Sequence, residues 1–288
     1  MIGIIEEQIM NDKFNKEPEV ADVVKKYYSQ GGEAERLSTG QWKVEKARTE
    51  SILKRLLPKA SATIVDVGGG AGAYALPLAT QGYDVYLIDL VPLHIEQAKE
   101  AEKLQPNHPL KACMVGDARK IDLPNSMADA VLLLGPLYHL PDKNDRLKTI
   151  SEAFRILKPG GLVLGVGISR YASFMNGMIY GMLKDPVFAE IVKKDMLTGQ
   201  HINPTDKIEY FTTAYYHQPE DLKGEFIESG FKDVNVIGVE GPGWIMPHFD
   251  AEWDNRETQQ TLMNFLEIME TEPGLLGVSA HIMAIGKK

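Results

Sequence analysis

Four glycines fall within five positions directly behind an apolar run in Val65-Asp66-Val67-Gly68-Gly69-Gly70-Ala71-Gly72-Ala73-Tyr74. Ordering a glycine costs backbone entropy, so such a cluster marks a sharp bend or a close approach to bare peptide groups. A strand that ends in this loop and opens a helix turns several N–H groups and a helix N-terminus toward one spot, and a nucleotide-like ligand is the expected occupant. A turn required only for strand-to-helix packing is the competing reading. The spacing Gly68-x-Gly70-x-x-Ala73 also satisfies the dinucleotide fingerprint, so the loop alone does not separate a nicotinamide cofactor from another adenosine-bearing ligand.

Around the loop the hydrophobic period alternates. Short β-branched runs at Ala62–Val67 and Asp84–Ile88 flank a helical pattern at Tyr74–Thr80, which makes a βαβ unit. The alternation continues with a helix at Leu93–Leu104, strands near Ala112–Val115 and at Ala130–Leu134, a helix at Arg146–Leu157 and a strand at Leu162–Ile168. Five strands alternating with helices predict a parallel sheet covered on both faces. In Leu157-Lys158-Pro159-Gly160-Gly161, Pro halts the preceding helix and the glycines suit a tight turn.

Residues 1–60 read as a helical arm, with helices at Glu19–Tyr28 and Gln41–Leu57 around a turn at Gln30-Gly31-Gly32-Glu33. The segment 170–217 breaks the alternation with scattered Met and aromatic residues and reads as an inserted lid. Beyond it come a helix at Pro219–Gly230, a strand at Val234–Val239, a helix at Asp254–Thr271 and a strand at Ala280–Ile285. The domain division is therefore an arm over 1–60 and one α/β domain over 61–288.

Thirty-one basic against forty acidic residues give a net charge of −9, without a Lys/Arg run able to follow a phosphate backbone, so nucleic acid is not expected as a partner. The single cysteine, Cys113, rules out an intrachain disulfide and any multi-thiolate metal site, and the histidines show no ligand spacing, so no metal is expected. Residues 1–10 carry two glutamates and no cationic n-region, and no apolar run approaches the roughly eighteen residues that span a bilayer. The expectation is a cytoplasmic protein, neither exported nor membrane-spanning, as a monomer or homodimer.

Two carboxylates strengthen the glycine loop. Asp89 closes the second strand about twenty residues on, where a carboxylate can accept from both ribose hydroxyls. Asp117, in Val115-Gly116-Asp117-Ala118, follows the third strand, where it could accept from an adenine amino group or form an Asx-turn.

With these residues in place, the chain resembles the class I S-adenosylmethionine-dependent methyltransferases. VDVGGGAG, LIDL, GDARKIDLP, ADAVLLLGPLYHL and EAFRILKPGGLVLG occur in that family's order and spacing over residues 61–169. The resemblance implies a Rossmann-like seven-stranded sheet of order 3-2-1-4-5-7-6, strand seven antiparallel, with helices on both faces. It implies S-adenosyl-L-methionine as the methyl donor, with Asp66, Gly68, Gly69, Gly70 and Gly72 around its methionine part, and Asp89 and Leu90 at the ribose. Asp117 and Ala118 would meet the adenine, and Leu134 and Gly135 would pass beneath the donor. A cationic sulfonium suits such an acidic site, whereas a pyrophosphate would not suit Asp66.

Candidates for the acceptor side follow the fourth strand in Gly135-Pro136-Leu137-Tyr138-His139-Leu140. His139 could take a proton from a hydroxyl or amine, or only shape the pocket; Tyr138 reads as a wall. Arg36 could fork onto the donor carboxylate, Tyr28 could close over it, and His217 and Trp244 could reach the acceptor. The expected function is methyl transfer to an O, N or C atom of a small apolar or aromatic acceptor by in-line displacement. A nicotinamide-dependent oxidoreductase and a non-catalytic donor-binding module are the alternatives.

Overall fold

The computed structural model describes residues 20–29 and 36–288, so the turn expected at 30–33 lies outside the described residues. Two helices come first, α1 (Val20–Tyr28) and α2 (Trp42–Leu56). The alternating part follows: β1 (Thr63–Val67), α3 (Ala75–Thr80), β2 (Asp84–Asp89), α4 (Pro92–Glu102), β3 (Ala112–Val115), β4 (Ala128–Leu133), α5 (Lys143–Ile156) and β5 (Leu157–Ser169). Next are α6 (Ala172–Ile179), α7 (Pro186–Thr198), β6 (Gln200–His201) and β7 (Ala214–His217). The chain closes with α8 (Pro219–Glu228), β8 (Lys232–Gly238), α9 (Phe249–Asp254), α10 (Arg256–Met269) and β9 (His281–Lys287).

β1 pairs in parallel with β2 and β4, β2 with β3, and β4 with β5. β9 runs antiparallel between β5 and β8. The core order is thus β3-β2-β1-β4-β5-β9-β8, the expected 3-2-1-4-5-7-6 with its antiparallel seventh strand. Successive residues of each central strand feed opposite layers. Ile64, Leu87, Leu132 and Leu164 pack with α2, α3 and α4, whereas Val65, Ile88, Val131 and Val163 pack with α5 and α8. Two-sided burial explains why these strands read as unbroken apolar runs.

β7 adds a feature that periodicity did not reveal. It pairs in parallel with Ile168 and Ser169 of β5, beyond the end of β4 and on the edge opposite β9, and β6 then pairs with β7. The segment expected as a lid therefore extends the sheet at its carboxyl end. The Leu157–Gly161 stretch is also not a simple turn. Leu157 already pairs with Ala128, and Gly160, at φ +77°, donates its N–H to the Lys288 carbonyl at 2.9 Å. The carboxyl ends of β1, β2 and β4 meet where the strand order reverses, the place where open α/β sheets bind ligands.

Candidate functional site

At that switch point lies a cavity of about 660 Å³ lined by Gly68–Tyr74, Asp89–Val91, Gly116–Arg119, Leu134–Pro136 and Tyr138–Leu140. The glycines at its floor answer to the protein as well as to a ligand. A Cβ at Gly68, whose φ is +71°, would sit 2.8 Å from Cδ of Pro136, and one at Gly69 would sit 2.5 Å from Oδ2 of Asp66. Packing alone therefore forbids side chains at these two positions, so the competing reading of the loop holds for them. Gly70 differs, since its nearest neighbour is His94 at 4.0 Å and its bare peptide borders the cavity.

Asp89 ties the loop to β2. Its Oδ2 accepts from Gly70 N at 2.8 Å, while Oδ1 accepts from Val91 N at 2.8 Å and meets His94 Nδ1 at 3.0 Å. His94, within the expected helix, was not foreseen as a site residue. It lines the cavity, and its Nε2 is buried with no hydrogen-bond partner. Asp66 is fully buried in β1 beneath Gly69, and neither carboxylate oxygen has a hydrogen-bond partner. Burial, followed by the nearby Asp89 charge, pushes its carboxyl up to about 7. Asp66 lies behind the cavity floor rather than on its surface.

Asp117 and Ala118 line the cavity, as expected, but Arg119 occupies the Asp117 carboxylate. Its Nη2 lies 2.7 Å from Asp117 Oδ2, and its Nη1 reaches Asp145 at 2.8 Å. Burial would raise the Asp117 pKa; the Arg119 hydrogen bonds outweigh it and hold the carboxyl below its ordinary value. Arg36 likewise lines the cavity with its fork engaged, donating to Glu45 at 2.6 and 3.1 Å. Leu90, Leu134, Gly135 and Tyr28 all border the same space.

A second cavity of about 310 Å³ adjoins the first, and Tyr28, Arg36 and Tyr138 line both. Its wall is mostly aromatic, including Trp42, Tyr210, Phe211 and Trp244. Trp244, expected in a flexible loop, is 2% exposed in a 3-10 turn over Gly241–Ile245 and donates Nε1–H to the Val278 carbonyl at 2.9 Å. Tyr28 Oη lies 2.8 Å from His139 Nε2 at the junction. Burial drives the His139 pKa down to about 4, so its imidazole is neutral near pH 7. His217 lines neither cavity; it is buried in β7 with Nε2 3.4 Å from Glu225.

Three residues missed from the sequence meet beside the junction. His281 Nδ1 lies 2.6 Å from Glu240 Oε1 and 3.9 Å from Glu45 Oε2, so one donor atom of each falls within 4.8 Å of the others. These charges are met within the chain, Glu45 by Arg36 and Glu240 by Ser279 Oγ and the His281 N–H. Distant segments supply the three residues, which is why no ligand spacing announced them.

Residues 65–165 match the methyltransferase domain family. That match falls on the strands and glycine loop for which the sequence resembles the class I S-adenosylmethionine-dependent methyltransferases, and the 3-2-1-4-5-7-6 sheet is the one that resemblance implies. The chain is 30% identical over 169 residues to an uncharacterized methyltransferase of Mycobacterium tuberculosis, covering 57% of this chain and 60% of that one. The chain thus spans less than two thirds of the length of that relative. A tRNA 5-carboxymethoxyuridine methyltransferase of Escherichia coli is 28% identical over 51% of this chain and 56% of its own. The ubiquinone/menaquinone biosynthesis C-methyltransferase of Caulobacter vibrioides is 29% identical over 67% of this chain and 76% of its own. Among solved structures, a possible histamine N-methyltransferase from Thermotoga maritima shares the fold with a TM-score of 0.55 at 18% identity, covering 93% of this chain and 99% of that one. No described helix is long and apolar enough to cross a membrane.

Proposed function

We propose that this protein transfers the methyl group of S-adenosylmethionine to a small, apolar or aromatic acceptor held in the second cavity. One observation carries the reading: a cavity over the glycine loop and a second, aromatic-rich cavity share Tyr28, Arg36 and Tyr138 as a common wall. The larger cavity fits the donor's charge. Asp89 supplies negative potential toward a cation, and both arginines lining the cavity are already paired with carboxylates. That arrangement offers little to the pyrophosphate of a nicotinamide cofactor.

When bound, the donor supplies an electrophilic methyl group on a sulfonium. The chain's own contribution is alignment and exclusion of water. Asp89 holds the ribose, the peptides of residues 68–72 hold the methionine part, and Tyr28 and Tyr138 face the acceptor side. The mostly aromatic second cavity and the similarity to a quinone-pathway C-methyltransferase support an apolar acceptor. The −9 charge weighs against a phosphate backbone like that of the tRNA relative's substrate. His139 holds Tyr28 in place here, with Arg36, through Glu45, bracing the same junction.

Two measurements test this. S-adenosylhomocysteine should raise the melting temperature, by about 2.7 kcal/mol of added stability at one hundred times Kd, and NADH should not. The converse result removes the proposal. Asp89→Ala should weaken S-adenosylhomocysteine binding at least about tenfold in calorimetry, the scale of a lost charge-assisted hydrogen bond. Unchanged affinity would contradict the ribose assignment.

A further inference from the structure

The second cavity contains a group arranged to move a proton. His281 lines that cavity from β9; its Nδ1 is held by Glu240 at 2.6 Å, while no hydrogen-bond partner of its Nε2 is found among the described residues. Glu240 is itself nearly fully buried and fixed by Ser279 Oγ at 2.9 Å and by the His281 main-chain N–H at 2.9 Å. A carboxylate on Nδ1 sets the tautomer with its lone pair on Nε2, so the basic nitrogen is turned into the cavity. The Tyr138 ring, part of the wall shared with the donor cavity, has its centroid 6.2 Å from that of His281.

We propose that Glu240 and His281 form a proton-accepting pair for the acceptor, and that the acceptor is a phenol of one or two rings. This rests on the methyl-transfer reading given above. As the phenolic oxygen forms its bond to the methyl carbon, the carbon–sulfur pair stays on sulfur and the hydroxyl proton passes to His281 Nε2. The positive charge lost at sulfur reappears on an imidazolium paired with Glu240. Size supports the class: a buried apolar cavity of ~150 Å³ accepts benzene, and this one is about 310 Å³. The aromatic wall suits a ring, while His281 is positioned for its hydroxyl.

His139 is less suited to the task, because its Nε2 is engaged by Tyr28 and burial lowers its basicity. At His281 burial also lowers the pKa, but Glu45 from α2 and Glu240 after β8 more than reverse it, with Arg36 opposing them. The result is a stronger base that is lost as pH falls through its raised pKa.

The test uses the full chain saturated with S-adenosylhomocysteine, with 4-nitrophenol as an optical probe of ionisation and 4-nitroanisole as a matched ligand without the proton. Bound 4-nitrophenol should show a phenolate-to-phenol ratio at least about tenfold above that in buffer at the same pH. His281→Gln should abolish the excess while still binding 4-nitroanisole. Nitrogen NMR should show the His281 Nδ1–H tautomer, with a pKa that falls in Glu240→Gln; this reading decides the matter should His281→Gln not fold. An unchanged phenolate excess in His281→Gln, or an Nε2–H tautomer in the parent, overturns the pair. Intact S-adenosylhomocysteine binding without phenol binding overturns the acceptor class and leaves the donor reading standing. Failure to bind S-adenosylhomocysteine, seen before any phenol is added, removes the donor reading and this inference together.

Discussion

Glu225→Ala is expected to lower the unfolding free energy by about 3–5 kcal/mol, the cost of stranding a buried charge. Glu225 on α8 and Arg146 on α5 are both almost fully buried, with Arg146 Nη2 2.7 Å and Nε 3.0 Å from the carboxylate. The Arg146 guanidinium also donates from Nη1 to the carbonyls of Leu140 and Pro141 at 2.8 Å each, and it stacks over the Tyr215 ring at 3.8 Å. One ion pair thereby fastens α5, α8, β7 and the loop that carries Tyr138 and His139. Removing the carboxylate leaves the arginine buried without its counter-charge, whereas replacing both residues removes the charges together. Arg146→Met combined with Glu225→Met should therefore recover most of the loss in urea unfolding. A cost below about 1 kcal/mol for Glu225→Ala would show that water already solvates the pair.

This network marks the limit of what spacing can reveal. β1, β2, β4 and β5 were legible because a strand buried on both faces must be apolar throughout, β3 as a short apolar run at the sheet edge, and α3, α4 and α5 showed the helical period between them. β7 was not, because Ala214-Tyr215-Tyr216-His217 carries tyrosines and a histidine whose polar atoms or rings face Arg170, Arg146 and Glu225. Their burial depends on partners from other segments. His217 consequently looked like an acceptor-site candidate, whereas its place is under α8.

The larger cavity was legible residue by residue, since a loop and the ends of adjacent strands supply its lining in chain order. Gly70, Asp89, Leu90, Asp117, Ala118, Leu134 and Gly135 all border one cavity. The Glu45, Glu240 and His281 group was not, because α2, the segment after β8 and β9 each contribute one member of it. His281 sits in an otherwise apolar final strand, where the pattern reads as core. Glu240 and His281 lie 41 residues apart, and the antiparallel pairing of β8 with β9 brings them together.

Asp66 is expected to make stability fall as pH rises from about 4 to about 7, against the opposite contribution of His139, whose burial lowers its pKa. Burial first, and then the Asp89 charge, raise the Asp66 carboxyl from the ordinary 3.8 to about 7 in the folded protein. Between those values the folded chain holds a proton that the unfolded chain has released, so unfolding becomes easier as protons grow scarce. The contribution is fully present below the unfolded pKa and lost above the folded one. At 1.36 kcal/mol per pKa unit, a difference of about three units corresponds to about 4 kcal/mol. Asp66→Asn keeps the shape and removes the titration. Urea unfolding from pH 5 to pH 8 should give a flatter profile for Asp66→Asn than for the parent, with the variant the more stable of the two at pH 8. His281, whose pKa is also raised, adds a slope of the same sign to both proteins, so the difference between the profiles isolates Asp66. Parallel profiles would mean that water reaches the carboxylate beneath Gly69 and that its charge is not confined.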